Sequence, residues 1–140
     1  MKKVYMLDTN ICSFIMRSHD KGVLANLQAH VLNRDSIVIS AVTYAELRFG
    51  AIGKKASPKL PMIVDEFVDR LDAVLPWDKK AVEAASCVKK SLSEEGQVIG
   101  HNDTLIAGHA ISQGCVLVTN NTREFKRVSG LIYEDWVSDK

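Results

Sequence analysis

Short apolar runs alternate with longer helical patterns along the whole chain. Three of the runs carry apolar residues on both faces, namely VYMLD (4–8), SIVIS (36–40) and CVLVT (115–119). Two further runs, VLPW (74–77) and GLIYEDW (130–136), favour short strands. Strands that are apolar on both faces are typical of a parallel sheet that is covered by helices on both sides.

Helical periodicity occupies the segments between these runs, at 11–17, 22–33, 41–51, 62–74, 79–96 and 102–114, with a short helical turn at 122–125. Thr9 or Asn10 is expected to cap the first helix. Asn102 or Asp103 is expected to start the helix at 102–114. This alternation of strands and helices predicts an α/β fold, a three-layer sandwich with a central, mostly parallel sheet flanked by helices.

The length and composition are those of one ordinary globular domain spanning residues 1–140. The chain is 46% hydrophobic and 25% charged, and its formal net charge of +1 neither favours nor excludes a nucleic-acid partner. Its apolar runs are too short to cross a membrane, and its start turns acidic too early for a secretory signal, so we expect a cytoplasmic protein.

Cys12, Cys87 and Cys115 lack metal-binding spacing and are expected to fill core positions.

Three carboxylates stand where surface acids are not expected. Asp8 ends the first apolar run, and ligands of open α/β sheets bind beyond the carboxyl ends of the strands. Glu46 shares a helical stripe with Val42 and Phe49. Asp103 heads a helix and lies on its apolar face. Because the elements that precede these acids can end at one edge of the sheet, the three carboxylates can converge there.

Such a convergence needs a compensating proton or cation. Two carboxylates about 4 Å apart repel each other by roughly 4 kcal/mol near a protein surface. Either one acid takes up a proton at a raised pKa, or a divalent cation neutralises the group. Oxygen ligands without His or Cys favour Mg²⁺, or alternatively Mn²⁺. Phosphate oxygens are the usual remaining ligands of Mg²⁺, which predicts a phosphoester substrate.

Each acid has a simpler structural interpretation when it is considered alone. Asp8 and Asp103 can each cap a helix or stabilise its first turn. Glu46 can be an exposed acid that pairs with Arg48 or Lys54. The joint placement of the three acids is what favours a metal site.

Polar residues after the 115–119 run extend the candidate site. Asn121 can hydrogen-bond a phosphate or a metal-bound water, and Glu124 is a candidate outer ligand. Ordinary turn chemistry is the alternative for both. His101 and His109 form no recognised ligand pair and are expected in a loop and in a partly buried position. The sequence contains neither glycine-rich phosphate-binding motif.

The motifs LDTN, AELRFGA, NDTLIA and TNNTREF occur in this order and resemble the PIN-domain ribonucleases, in particular the VapC toxins of bacterial type II toxin–antitoxin systems. The resemblance covers essentially the whole chain and implies Mg²⁺-dependent endonucleolytic cleavage of RNA. It places the first three acids of the family on Asp8, Glu46 and Asp103. The fourth acidic position falls on Asn121, so either Asn121 acts through a water or Glu124 substitutes for the acid.

The resemblance also implies partners. These are an RNA substrate, preferably initiator tRNA cut in its anticodon stem-loop, a VapB-type antitoxin whose tail covers the active site, and a second toxin copy in a homodimer. Promoter DNA is expected only through the antitoxin, and no membrane is expected.

Gly108, at the usual small position after NDTLIA, is expected to loosen its helix. Candidates for holding the RNA backbone are Lys79, Lys80, Lys89, Lys126 and Arg123.

Two other functions are the alternatives, a Mg²⁺-dependent phosphatase and an inactive RNA-binding PIN module. A haloacid-type phosphatase needs a second aspartate two residues after the first, and Asn10 stands there. The intact acids at positions 8, 46 and 103 count against an inactive module.

Overall fold

The computed structural model describes residues 2–138, so residues 1, 139 and 140 of the expected single domain lie outside the described residues. In residues 2–138, five parallel strands form one sheet: β1 (Val4–Leu7), β2 (Ser36–Ser40), β3 (Ala73–Leu75), β4 (Val116–Val118) and β5 (Tyr133–Glu134). Their order in the sheet is β3-β2-β1-β4-β5. Strand β1 therefore lies at the centre, and its neighbours β2 and β4 come from distant parts of the chain.

Within the described residues, seven helices connect the strands: α1 (Thr9–Met16), α2 (Lys21–Leu32), α3 (Ala41–Ala51), α4 (Leu60–Asp69), α5 (Lys79–Glu94), α6 (His101–Gln113) and α7 (Thr122–Phe125). Each expected helix is present, with ends shifted by a few residues. The expected cap of α1 is wrong, and α6 begins one residue earlier than expected. Asp8 itself caps α1, and Gly100 precedes α6 without a side-chain cap. The Asp103 side chain is thus not used to cap its own helix.

The strands bury alternate side chains in two separate apolar layers. Tyr5 and Leu7 contribute to a core with helices α1 to α4, whereas Met6, between them, packs against α5 and α6 on the other face. Ile37, Ile39 and Val38 repeat this division in β2. Because successive side chains of a strand point to opposite faces, a strand that is apolar throughout needs both layers. The three-layer sandwich expected from the sequence is confirmed.

Helices α5 and α6 approach each other closely at Gly108. A Cβ atom at this position would lie 2.4 Å from the Ala85 Cα and 2.5 Å from the Ala85 backbone nitrogen. Atoms of two packed residues do not come this near, so the absence of a side chain is what permits the crossing. The glycine that was expected to loosen its helix is instead the point at which α5 and α6 meet.

His109 joins α6 to the start of α3. Its Nδ1 lies 2.7 Å from the hydroxyl of Ser40, which also accepts a hydrogen bond from the Val42 backbone and so caps α3. The imidazole is fully buried and not partly buried as expected. Among the described residues, its Nε2 makes no well-formed hydrogen bond. Burial lowers the pKa of His109, opposed by the Asp78 carboxylate and the Pro76 carbonyl.

Replacing His109 by glutamine should flatten the dependence of stability on pH in mildly acidic solution. Because the pKa of His109 is lowered in the folded protein, the unfolded chain binds more protons as the pH falls below the ordinary value of 6.5. The wild type should therefore lose up to about 1.4 kcal/mol of unfolding free energy per pH unit, relative to His109→Gln. Urea unfolding of both proteins between pH 5 and 8 measures the difference, and parallel curves would contradict the prediction.

The cysteines follow the expectation in two of three cases. Cys12 and Cys115 are buried in the apolar layers, but Cys87 is exposed on α5, so its expected core position is wrong.

Within residues 2–138, none of the helices combines the length and apolar character needed to cross a membrane.

Candidate active site

Asp8 lies at the carboxyl end of the central strand and is almost fully buried. Its Oδ1 accepts a hydrogen bond from the Thr9 backbone N–H at 2.8 Å, and its Oδ2 accepts one from the Thr119 hydroxyl at 2.8 Å. The helix-capping role that was the alternative for Asp8 is therefore real. It uses only one of the two oxygens, and each carboxylate oxygen has a second lone pair for another ligand.

Thr9, the residue that follows Asp8, links Glu46 to Asp8. The Thr9 hydroxyl donates to Glu46 Oε1 at 2.7 Å and lies 3.4 Å from the hydroxyl of Thr43. The alternative pairing of Glu46 with Arg48 is not observed, because Arg48 binds Asp65 and the Tyr44 hydroxyl. Glu46 thus points toward the sheet edge.

Asp103, Asn121 and Glu124 form the other half of the cluster. The Asn121 side-chain amide donates to Asp103 Oδ2 at 3.3 Å and to Glu124 Oε2 at 2.5 Å. The Asn121 backbone N–H donates to the Thr119 hydroxyl at 2.9 Å. Because the same hydroxyl donates to Asp8, the two halves are connected.

A continuous set of hydrogen bonds therefore links all five residues that the sequence singled out. Sequence reasoning missed the two threonines that make the connection. Thr9 was considered only as a helix cap, and Thr119 only as the last residue of an apolar run. Both carry a hydroxyl directly at the carboxyl end of a central strand, which is the signal that could have identified them.

The electrostatic surroundings are unfavourable for so many negative charges. Burial raises the pKa of Asp8, although the hydrogen bonds from Thr119 and Thr9 oppose this effect, and the charges of Glu46 and Glu124 raise it further. Burial, the negative charge of Asp8 and the contact with Glu124 raise the pKa of Asp103 to about 7. The Asn121 amide lowers the pKa of Glu124. The pKa values of the two neighbouring carboxyls are therefore shifted in opposite directions, upward for Asp103 and downward for Glu124.

The donor set fits a hard divalent cation. All the candidate ligands are carboxylate or amide oxygens, the kind that Mg²⁺ and Mn²⁺ prefer. A cation would also relieve the repulsion that raises the pKa of Asp8 and Asp103. In residues 2–138, no three His, Cys, Asp or Glu side chains are already arranged to coordinate a metal ion, so these side chains would have to move to bind one.

Basic residues that were candidates for holding RNA are all exposed. Arg123 and Lys126 flank Glu124 on and just after α7, and Lys79 and Lys80 start α5. His101, expected in a loop, is instead the first residue of α6 and is exposed.

Comparisons with known proteins agree with this architecture. The family model of the PIN domain matches residues 5–131. The chain is 40% identical over 132 residues to the tRNA(fMet)-specific endonuclease VapC of Shigella flexneri, which covers 94% of this chain and 97% of that protein.

Two solved structures are similar in both sequence and fold. One is VapBC2 from Rickettsia felis bound to a promoter DNA fragment, with a TM-score of 0.87 and 36% identity, covering 95% of this chain and 98% of the matched chain. The other is DNA-bound VapBC from Salmonella typhimurium, with a TM-score of 0.86 and 37% identity, covering 97% and 99% respectively.

Proposed function

Because the chain belongs to the PIN-domain family, and within it to the VapC ribonucleases, we propose that it is the toxin of a toxin–antitoxin pair and cleaves RNA internally with the aid of Mg²⁺. Nucleases with this domain use divalent metal ions, and Mg²⁺, replaceable by Mn²⁺, is the finer proposal. A phosphatase or an inactive module is not favoured, because the relatives are named as nucleases.

The observation that carries this proposal is the hydrogen-bonded cluster at the carboxyl end of the central strands. It joins Asp8 to Glu46 through Thr9, and Asp8 to Asp103 through Thr119 and Asn121. Hydroxyl and amide donors hold these acids close together, so the side chains that a divalent cation would bind lie at one edge of the sheet. Buried carboxylates without such a partner would only destabilise the fold.

In the proposed mechanism, Asp8, Glu46 and Asp103 would hold the ion, with Glu124 as an outer acid that Asn121 positions. When bound, Mg²⁺ supplies positive charge and Lewis acidity for the hydrolysis of a phosphodiester. The hydrogen bonds from the Thr9 and Thr119 hydroxyls hold the carboxylates of Glu46 and Asp8 in place. Water attacks the phosphorus and the bond to the 3′-oxygen breaks, so the products are a 5′-phosphate and a 3′-hydroxyl.

The substrate is proposed to be tRNA in the cytoplasm, and initiator tRNA is preferred because the Shigella relative is named for tRNA(fMet). The partner is proposed to be a VapB-type antitoxin, since the similar structures are VapBC complexes and two of them contain DNA. Contact with promoter DNA is assigned to the antitoxin, and a toxin homodimer is part of the proposal.

The purified chain should cut total tRNA into discrete fragments when Mg²⁺ is present, and EDTA should suppress this cleavage. Sequencing of the fragment ends identifies the RNA and the position of the cut. Fragments that form equally well in EDTA, or that end in a cyclic phosphate, would contradict the proposal.

Replacing Glu124 by glutamine should raise the apparent Kd for Mg²⁺ about 10-fold, with kcat at saturating Mg²⁺ changed much less. The reason is that an acid outside the direct ligand set affects how tightly the ion binds and does not itself contact the reacting atoms. Titration of cleavage with Mg²⁺ measures both constants. Glu94→Gln, an identical change on the exposed end of α5, is the matched control. An unchanged Kd for Glu124→Gln would exclude Glu124 from the site.

A further inference from the structure

A groove between α5 and α6 opens beside the candidate active site. It has a volume of about 580 Å³ and extends from Trp77 to the first turn of α6, where His101, Thr104 and Leu105 line it. Asp103 belongs to the same helical turn, so the groove and the acid cluster lie on two sides of one helix end. Their separation is on the order of 10 Å, the diameter of a helix.

The lining of this groove combines apolar surface with positive charge. Lys89 and His101 contribute the ionisable groups, and none of the lining residues is an acid. The larger groove on the other face of the sheet differs in this respect, because Asp35, Glu66 and Asp72 line it. A groove without carboxylates, in a chain with 17 acidic residues, suits an anionic occupant.

Trp77 offers a flat surface at one end of the groove. Its ring meets the buried imidazole of His109 edge-on, with centroids 5.3 Å apart and an interplanar angle of 83°. This contact supports the indole from the protein interior, while Trp77 remains partly exposed. Val82 and Val98, which also line the groove, are 47% and 65% exposed, so apolar surface continues to the rim.

We propose that this groove binds an unpaired nucleobase of the RNA substrate next to the cleaved phosphodiester, with Trp77 as the stacking surface and Lys89 as a contact for the adjoining phosphate. The proposal rests on the function proposed above and adds a site to it. Aromatic surfaces beside lysines are how proteins hold single-stranded nucleic acid. The lining includes Lys89 and His101 and no acid, and this charge favours RNA over an acidic protein partner as its occupant.

Two pairs of variants test this site through cleavage kinetics. Lys89→Ala and Val98→Glu should each raise KM for tRNA about 5- to 10-fold, with kcat within about twofold of the wild type, because they alter binding away from the acids. The matched controls are Lys90→Ala and Ile132→Glu, which remove a lysine and place a glutamate on a β-branched apolar residue at exposed positions outside the groove; they should leave KM unchanged. Equal KM values in both pairs would overturn the proposal.

A binding experiment without cleavage separates this site from the proposed function. In EDTA, tRNA should quench the fluorescence of Trp77, measured as the difference between the wild type and Trp77→Phe, and Val98→Glu should abolish the quenching. If the wild type cleaves no RNA but this quenching occurs, the ribonuclease proposal fails and the nucleobase site stands. If tRNA leaves the fluorescence of Trp77 unchanged, the nucleobase site is refuted, and a protein becomes the alternative occupant of the groove.

Discussion

Replacing Asp8 by asparagine should reduce RNA cleavage by at least about 1,000-fold, which corresponds to a loss of roughly 4 kcal/mol of transition-state stabilisation. Asp8 is the central member of the hydrogen-bonded cluster, and its negative charge is the feature that a divalent cation would use. Asparagine keeps the shape of the side chain but removes the charge. The initial rate of tRNA cleavage at saturating Mg²⁺ is the measurement.

The fold should survive this substitution. The amide oxygen of asparagine can still accept from the Thr9 backbone, and the Thr119 hydroxyl can turn to accept from the new amide group. Removal of a buried carboxylate whose pKa is raised also relieves a destabilising charge. Thermal melting and circular dichroism should therefore match the wild type within a few degrees.

The matched control is Asp69→Asn, the same change at an exposed residue on the last turn of α4. It should leave cleavage unchanged. Activity of Asp8→Asn above a tenth of the wild-type rate, in a protein that melts normally, would remove Asp8 from the catalytic site.

Local patterns were sufficient to predict most of the fold. The run SIVIS and the helix after it match β2 and α3 to the residue, because a β-branched apolar run and a serine cap act within a few positions of the chain. The acids at positions 8, 46 and 103 could be found because each interrupts an apolar pattern.

Relations across the sheet could not be predicted in the same way. Thr119 and Asp8 are 111 positions apart, and their contact depends on β4 being the neighbour of β1. No local sequence pattern predicts the order in which five parallel strands pair in a sheet. The start of α6 was placed one residue late, since the helix begins at His101; Asp103 does lie in its first turn, and only its contact with Asn121 on another element could not be predicted.

Replacing Gly108 by alanine should destabilise the protein by about 2–3 kcal/mol, against the usual gain of roughly 1 kcal/mol for this change inside a helix. The new methyl group would lie within 2.5 Å of the Ala85 backbone, so α5 and α6 would have to separate. For a chain of this size, the melting temperature should fall by roughly 5–10 °C.

Two further variants make this prediction specific. Gly50→Ala, also in a helix but with nothing within 4 Å of the added Cβ, should raise the melting temperature slightly. Adding Ala85→Gly to Gly108→Ala should restore little stability, because the closest atoms are the Cα and nitrogen of residue 85, which glycine retains. A Gly108→Ala protein that melts at or above the wild-type temperature would show that the two helices do not meet at this residue. The placement of Asp103, which α6 carries into the acid cluster, would then need another explanation.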